Sequence, residues 1–258
     1  MTQEERRKYL IKYLLKEEIR FGRQKIPSGK KEQENLLRSL MNVRPPRPVS
    51  DEFLKIQDEY LTERNIERGI TDIENLVPVK SDPRLYIWKG DITTLKCDAI
   101  VNACNSQMLG CFSPLHACID NFIHTYAGVE LRLKMYEIMT KQGHEEETGK
   151  AKITSGYNLP AKYILHTVGP IIQWEVTPED EKLLASCYME CLRLAADKGV
   201  KSIAFCCLST GVFRFPQQRA AEIAVNTVRQ YIDKDNRIKK VIFNVFKDED
   251  LKIYNELL

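Results

Sequence analysis

Histidine and tryptophan are scarce here, with four and two among 258 residues, and no apolar run approaches the roughly 20 residues that cross a bilayer. No membrane role is therefore expected. Neither charge sign dominates: 39 basic against 36 acidic residues leave a net +3. Such a balance gives no long-range field to attract nucleic acid, and no nucleic-acid partner is expected. With 12 glycines and 11 prolines, the composition is neither fibrous nor low-complexity, and no internal repeat is visible. The opening "MTQEERRKYLIKYLLKEEIR" lacks the unbroken apolar core of a signal peptide, so a cytoplasmic location is expected. In that compartment eight cysteines read as thiols or metal ligands rather than as a disulfide framework.

What is present divides in two. Residues 1–80 read as a helical N-terminal extension and 81–258 as the main domain. In "EERRKYLIKYLLKEEI", Tyr9, Leu10, Tyr13, Leu14 and Ile19 fall near one helical stripe. "KEQENLLRSLMN" and "SDEFLKIQDEYLTERNIERG" predict two more helices, the second starting at Ser50-Asp51 and stopping at Gly69. The prolines of "RPPRPV" forbid helix between them. Apolar stripes on such helices are read first as core packing.

From Arg84 the pattern changes to strands alternating with helices. "RLYIWKG", "DAIVNAC", "AKITSGY", "KYILHTVGP", "KSIAFCCLS" and "KKVIFNVF" predict strands. "PLHACIDNFIHTYAG" and "VELRLKMYEIMTKQG" predict helices ending in glycine. Two more helices follow: one from Thr177 to Gly199, with acids in its first turn, and one with Pro216 in its first turn. Alternation of this kind implies a mostly parallel or mixed sheet covered by helices on both faces. Ligands then bind in the loops beyond the carboxyl ends of the strands.

Three such loops are rich in polar and small residues. In "WKGDITTL", Asp91 can cap the next turn or accept from an amino group. In "VNACNSQMLG", Asn102 and Asn105 leave a strand, where buried amides either satisfy the backbone or read a ligand. In "LSTGVFRFP", successive amides around Gly211 suit a pyrophosphate, although one such turn alone is only a turn. The eight residues "CFSPLHAC" hold Cys111, His116 and Cys118, all zinc-ligand types. Taken by spacing alone they leave two readings open: a three-ligand metal site, or two buried thiols and a packing imidazole. His124 and His166 are read as structural, and Cys97, Cys104, Cys187, Cys191, Cys206 and Cys207 as core thiols.

"GDIT", "DAIVNACN", "TSGYNLPAKYILHTVGP" and "STGVFRFP", in that order, resemble the macrodomain family, which binds ADP-ribose. The resemblance runs from about Arg84 to the C-terminus and implies a three-layer α/β/α fold around a mixed sheet. It implies that Asp91 holds the adenine amino group with the Ile92 amide alongside, and that Asn105 bonds the distal ribose. Ser209, Thr210, Gly211, Val212 and Phe213 would wrap the diphosphate, Cys118 and Ile119 would lie against the ligand, and Phe246 would neighbour adenine. Many macrodomains carry a run of glycines after the second Asn. Here "CFSPLHAC" replaces it, and this chain resembles a microbial subclass with a Cys-His-Cys zinc site. The resemblance then implies Zn2+ on Cys111, His116 and Cys118, with Asn105 and Asp120 catalytic. The expected activity is hydrolysis of mono-ADP-ribose from modified proteins at C1″ of the distal ribose, opposing a sirtuin-like ADP-ribosyltransferase. A non-catalytic ADP-ribose reader and a hydrolase of small O-acyl-ADP-ribose esters are the alternatives.

Overall fold

Residues 1–17 and 24–258 are described by the computed structural model. The extension forms three helices, α1 (Gln3–Glu17), α2 (Lys30–Val43) and α3 (Asp51–Glu67). Leu10, Ile11 and Leu14 of α1 close on Leu37, Leu40, Phe53 and Leu61 in a small core of their own. Tyr9 and Tyr13 pack on its edge, whereas Ile19 of the expected stripe lies outside the described residues. Ser50 caps α3 as expected, its hydroxyl accepting from the Phe53 amide at 3.2 Å, and Gly69 (φ +84°) ends that segment.

Nine strands follow, the first two very short: β1 (Thr71–Asp72) and β2 (Pro78–Val79). Then come β3 (Asp82–Lys89), β4 (Leu95–Lys96) and β5 (Ala99–Cys104), helices α4 (Ile119–Ala127) and α5 (Val129–Gln142), and strands β6 (Ala151–Ser155) and β7 (Tyr163–Val168). Helix α6 (Pro178–Asp197), β8 (Ser202–Phe205), α7 (Gln217–Lys234), β9 (Lys240–Val245) and α8 (Asp248–Leu257) complete the chain. Seven strands form one sheet in the order β2-β3-β9-β8-β5-β7-β6, with parallel pairing from β3 through β7 and antiparallel strands at both edges. The mixed α/β sheet expected from the sequence is what is found. Strands 1 and 4 pair separately.

Period-two alternation fixes both faces of the sheet. Val101, Leu165, Ile203 and Phe243 point one way, into a core with Tyr188, Leu192, Ala224 and Val228 of α6 and α7. Ile100, Ile164, Ala204 and Ile242 point the other way, against Ile123 of α4 and Leu131 and Met135 of α5. At about 1.5–3 kcal/mol for each fully buried large aliphatic side chain, these two cores dominate stability. The extension docks on the α4–α5 side through polar contacts. Asn42 Nδ2 donates to Thr125 Oγ1 at 3.1 Å, and the Val129 amide donates to Gln57 Oε1 at 2.9 Å.

Thr177 is the N-cap of α6, as expected from the sequence, and with Asp180 it closes a capping box. Four local expectations need correction. The helix expected from Pro114 begins only at Ile119, because Leu115 sits at φ +56° and keeps residues 111–118 as a loop. Pro216 precedes the first turn of α7 rather than lying in it. The strand expected over residues 201–209 stops at Phe205, leaving Cys206 and Cys207 beyond it. Helix α8 was not anticipated: only Ile253 and Tyr254 are its buried apolar residues, too few to show a period. No helix among the described residues is long and apolar enough to cross a membrane.

Candidate active site

Because β3, β9, β8, β5 and β7 run parallel, their carboxyl ends meet along one edge, and the loops that leave them meet too. The Gly90 amide donates to Val245 O at 3.1 Å, and Asn244 Nδ2 donates to Gly90 O at 2.9 Å. These bonds set the Asp91 loop beside the end of β9, where Phe246 stands 75% exposed. Asp91 Oδ1 accepts from the Thr93 amide at 3.0 Å, capping a 3-10 turn, so the capping reading of the sequence holds. Asp91 Oδ2 accepts from Arg68, whose guanidinium carbon lies 3.4 Å from the Tyr126 ring centroid. The Asp91 side chain keeps 35% exposure; Oδ1 accepts from the Thr93 hydroxyl as well as its amide, so Oδ2 is the oxygen with a lone pair to spare.

Between β8 and α7, Ser209 occupies left-handed backbone (φ +61°), and Phe215 N donates to Ser209 O at 3.0 Å. Among the described residues, none of the backbone amides from Ser209 to Phe213 finds a protein acceptor. Free amides in a row beside a helix N-terminus suit an anion. Among the described residues the buried Ser209 hydroxyl has no partner, and a Cβ built on Gly169 would lie 2.0 Å from its Oγ. Position 169 thus admits only glycine while Ser209 holds this pose. Gly211 and Val212 are exposed, and Phe213 O accepts from the Ile172 amide at 2.9 Å, tying this loop to the one after β7.

After β5, Asn105 turns its carbonyl back on its own loop, accepting from the Gln107 and Met108 amides at 3.1 and 3.2 Å. Among the described residues its amide group reaches only Gly110 O, at 3.5 Å, and stays largely available. The following loop brings Cys111, His116 and Cys118 together. Cys111 Sγ is 3.5 Å from His116 Nδ1, and one ligand atom from each of the three lies within 4.8 Å of the others. Tetrahedral zinc with thiolate and imidazole ligands needs S···N separations of about 3.6 Å, so the cluster fits such an ion. Burial pushes the Cys118 thiol up to about 12, with Cys111 adding to it against an opposing Asn121 amide. A thiol so placed sheds its proton readily only with a cation beside it.

Asp120 follows two residues later, and its carboxylate points inward. Oδ1 accepts from Asn102 Nδ2 at 2.8 Å and lies 3.5 Å from His124 Nε2. Burial raises its pKa to about 6, against the opposing Asn102 bond and Arg132 charge. Asn102 Nδ2 also meets His166 Nδ1 at 3.2 Å, and His166 Nε2 meets Thr154 Oγ1 at 2.9 Å. Burial holds both His124 and His166 well down, so both are neutral imidazoles. Cys118 ends in the N-cap position of α4, with Ile119 the first helical residue, half-buried behind it.

Sequence reasoning missed the basic residues around this site. Arg38 and Arg132 sit on helices and Arg68 caps the end of α3, where charge at helical spacing reads as a solvated face, and their partners are far away in the chain. Asn102 was visible as a buried amide, but not as the partner of Asp120.

Residues 101–224 match the family described as Macro domain. A "Protein-ADP-ribose hydrolase" of Treponema medium is 58% identical over 260 residues, covering 100% of both chains. One of the same name from Staphylococcus aureus (strain MRSA252) is 55% identical over 232 residues, or 90% of this chain and 86% of that relative. Among solved structures, the Trypanosoma brucei macrodomain in complex with ADP-ribose superposes with a TM-score of 0.66 at 29% identity, covering 85% of this chain and 94% of that one. With identity of this order over its whole length, the chain belongs to the macrodomain family.

Proposed function

We propose that the protein is a hydrolase that removes mono-ADP-ribose from modified proteins, cleaving at C1″ of the distal ribose. The observation that carries hydrolysis over mere binding is the Cys111–His116–Cys118 cluster, since three protein ligands leave a fourth position for water or substrate and binding alone requires no metal. The names of the two bacterial relatives point the same way. Asp91 and Phe246 hold the adenine end, and the amides of 209–213 hold the diphosphate. Binding energy spent on these remote groups positions the reacting end. Asn105 orients the distal ribose through its free amide group. Cys111, His116 and Cys118 would hold a zinc ion, which supplies a Lewis acid beside the distal ribose. Asp120 accepts a proton from the attacking water, and the acceptor side chain leaves as the C1″–O bond breaks.

The acceptor in this reading is an acidic side chain, modified by a sirtuin-like transferase, as the resemblance implies. Eight free thiols suit a reducing, cytoplasmic setting. The test is incubation with a mono-ADP-ribosylated protein. Release of free ADP-ribose is expected; a stable complex without release would make the protein a reader, and turnover confined to an O-acyl-ADP-ribose ester would move the substrate to small esters.

A further inference from the structure

The loop of residues 111–118 carries six consecutive exposed residues, Phe112–Ala117, and one of them, Leu115, holds left-handed backbone (φ +56°). A loop so exposed and so strained needs outside support to keep one shape. Helix α2 of the extension supplies it. Arg38 Nη2 donates to His116 O at 2.8 Å and to Asn121 Oδ1 at 2.7 Å, while its Nε reaches the same oxygen at 3.1 Å. Its guanidinium carbon lies 4.2 Å from the Phe122 ring centroid. Asn121 passes the restraint on, its Nδ2 donating to Ser113 O at 2.9 Å. One turn further along α2, Asn42 Oδ1 accepts from the Leu115 amide at 3.1 Å, satisfying the donor that the strained residue presents.

We propose that Arg38 is a positioning residue for the metal site: from the helical extension, it holds the 111–118 loop in its ligand-ready shape before any metal arrives. This deepens, and rests on, the reading of Cys111, His116 and Cys118 as metal ligands. The planar fork matters because one guanidinium spans His116 O, a carbonyl next to a ligand side chain, and Asn121 Oδ1, which anchors the loop's other arm. A lysine ammonium cannot span both acceptors and stack on Phe122. Groups that orient ligands from behind typically change metal affinity 10- to 100-fold when removed.

The test measures Zn2+ affinity by competition with a chromogenic chelator, on full-length protein stripped of metal, for wild type, Arg38→Met, Arg38→Lys and Asn42→Ala. Arg237→Ala, on the far surface, is the control. Methionine keeps the packing on Phe122, so the stripped variant should retain its far-UV circular dichroism. Arg38→Met should weaken zinc roughly 10- to 100-fold. Arg38→Lys should fail to restore affinity, and Asn42→Ala should shift it in the same direction. Zinc affinity within twofold of wild type in both Arg38→Met and Asn42→Ala, or an equal loss in Arg237→Ala, overturns the inference. Wild type that binds no zinc overturns instead the metal reading beneath it.

Discussion

Replacing Ser209 with alanine should raise stability and lower ADP-ribose affinity at the same time. The hydroxyl is buried, lacks a hydrogen-bond partner among the described residues, and faces Gly169 across a gap that no side chain could share. Leaving such a group unsatisfied costs about 1–3 kcal/mol, part of which alanine recovers. Alanine keeps the Cβ and therefore the cost of left-handed backbone, so no new strain enters. A gain of about 1 kcal/mol raises the melting temperature of a chain this size by roughly 2–4 °C. If the hydroxyl waits for a phosphate oxygen, its loss removes a hydrogen bond to a charged group, about 1.5–3 kcal/mol. That corresponds to a dissociation constant roughly 10- to 150-fold higher. Calorimetric titration with ADP-ribose and a thermal melt of the free protein read the two quantities separately. A variant that melts lower yet binds as tightly as wild type would refute the argument, since Ser209 would then serve the fold and not the ligand.

Asp120→Asn preserves an acceptor for Asn102 but cannot take a proton, so turnover on an ADP-ribosylated protein should fall about 10²- to 10⁴-fold. ADP-ribose affinity should stay within about threefold; equal turnover would remove Asp120 from the reaction. Asp91→Ala should weaken ADP-ribose by about 1.5–3 kcal/mol by titration calorimetry. Arg68→Ala, which frees the same carboxylate to swing, should weaken it only about two- to fivefold; tighter binding would mean that Arg68 competes with adenine instead. Cys118→Ser should lose zinc and turnover together, as should chelation. Zinc affinity should also fall steadily as pH drops, because two thiols and an imidazole must shed protons to bind the ion. Metal analysis across a pH series checks this, and zinc retained at full stoichiometry in Cys118→Ser would contradict the ligand set.

Most of the α/β order was legible from local signals: "DAIVNAC" is a mostly apolar run buried on both faces, and "TPED" announces the start of α6 by its capping chemistry. Loop residues such as Asp91, Asn105 and Ser209 to Phe213 were legible as a motif, and the sheet gathers them at one edge. What stayed hidden depended on contacts distant in sequence. Arg38 meets Asn121 across 83 positions, and Asn102 meets Asp120 across 18. The start of α4 was misplaced because "PLHACIDNFIH" has helical spacing throughout. Only the left-handed Leu115, which satisfies its amide on Asn42 of another helix, shows why the first five residues stay outside.

The same contacts tie the helical extension to the 111–118 loop. A run of glycines can hug a ligand with backbone alone, and needs no neighbour to hold side chains in place. A loop with Cys111, His116 and Cys118 instead brings side chains to one point under the proposed metal reading. Their convergence requires fixed backbone on both arms of the loop. Arg132 fixes one arm, its Nε donating to Leu109 O at 2.7 Å while its guanidinium lies 4.2 Å from the Phe112 ring centroid. Arg132 is itself held by α2, donating to the carbonyls of Met41 and Asn42 at 3.0 and 2.8 Å. Arg38 and Asn42 fix the other arm. Both arms therefore lead back to the same helix, so substitutions that loosen α2 should disturb the site before they disturb the sheet.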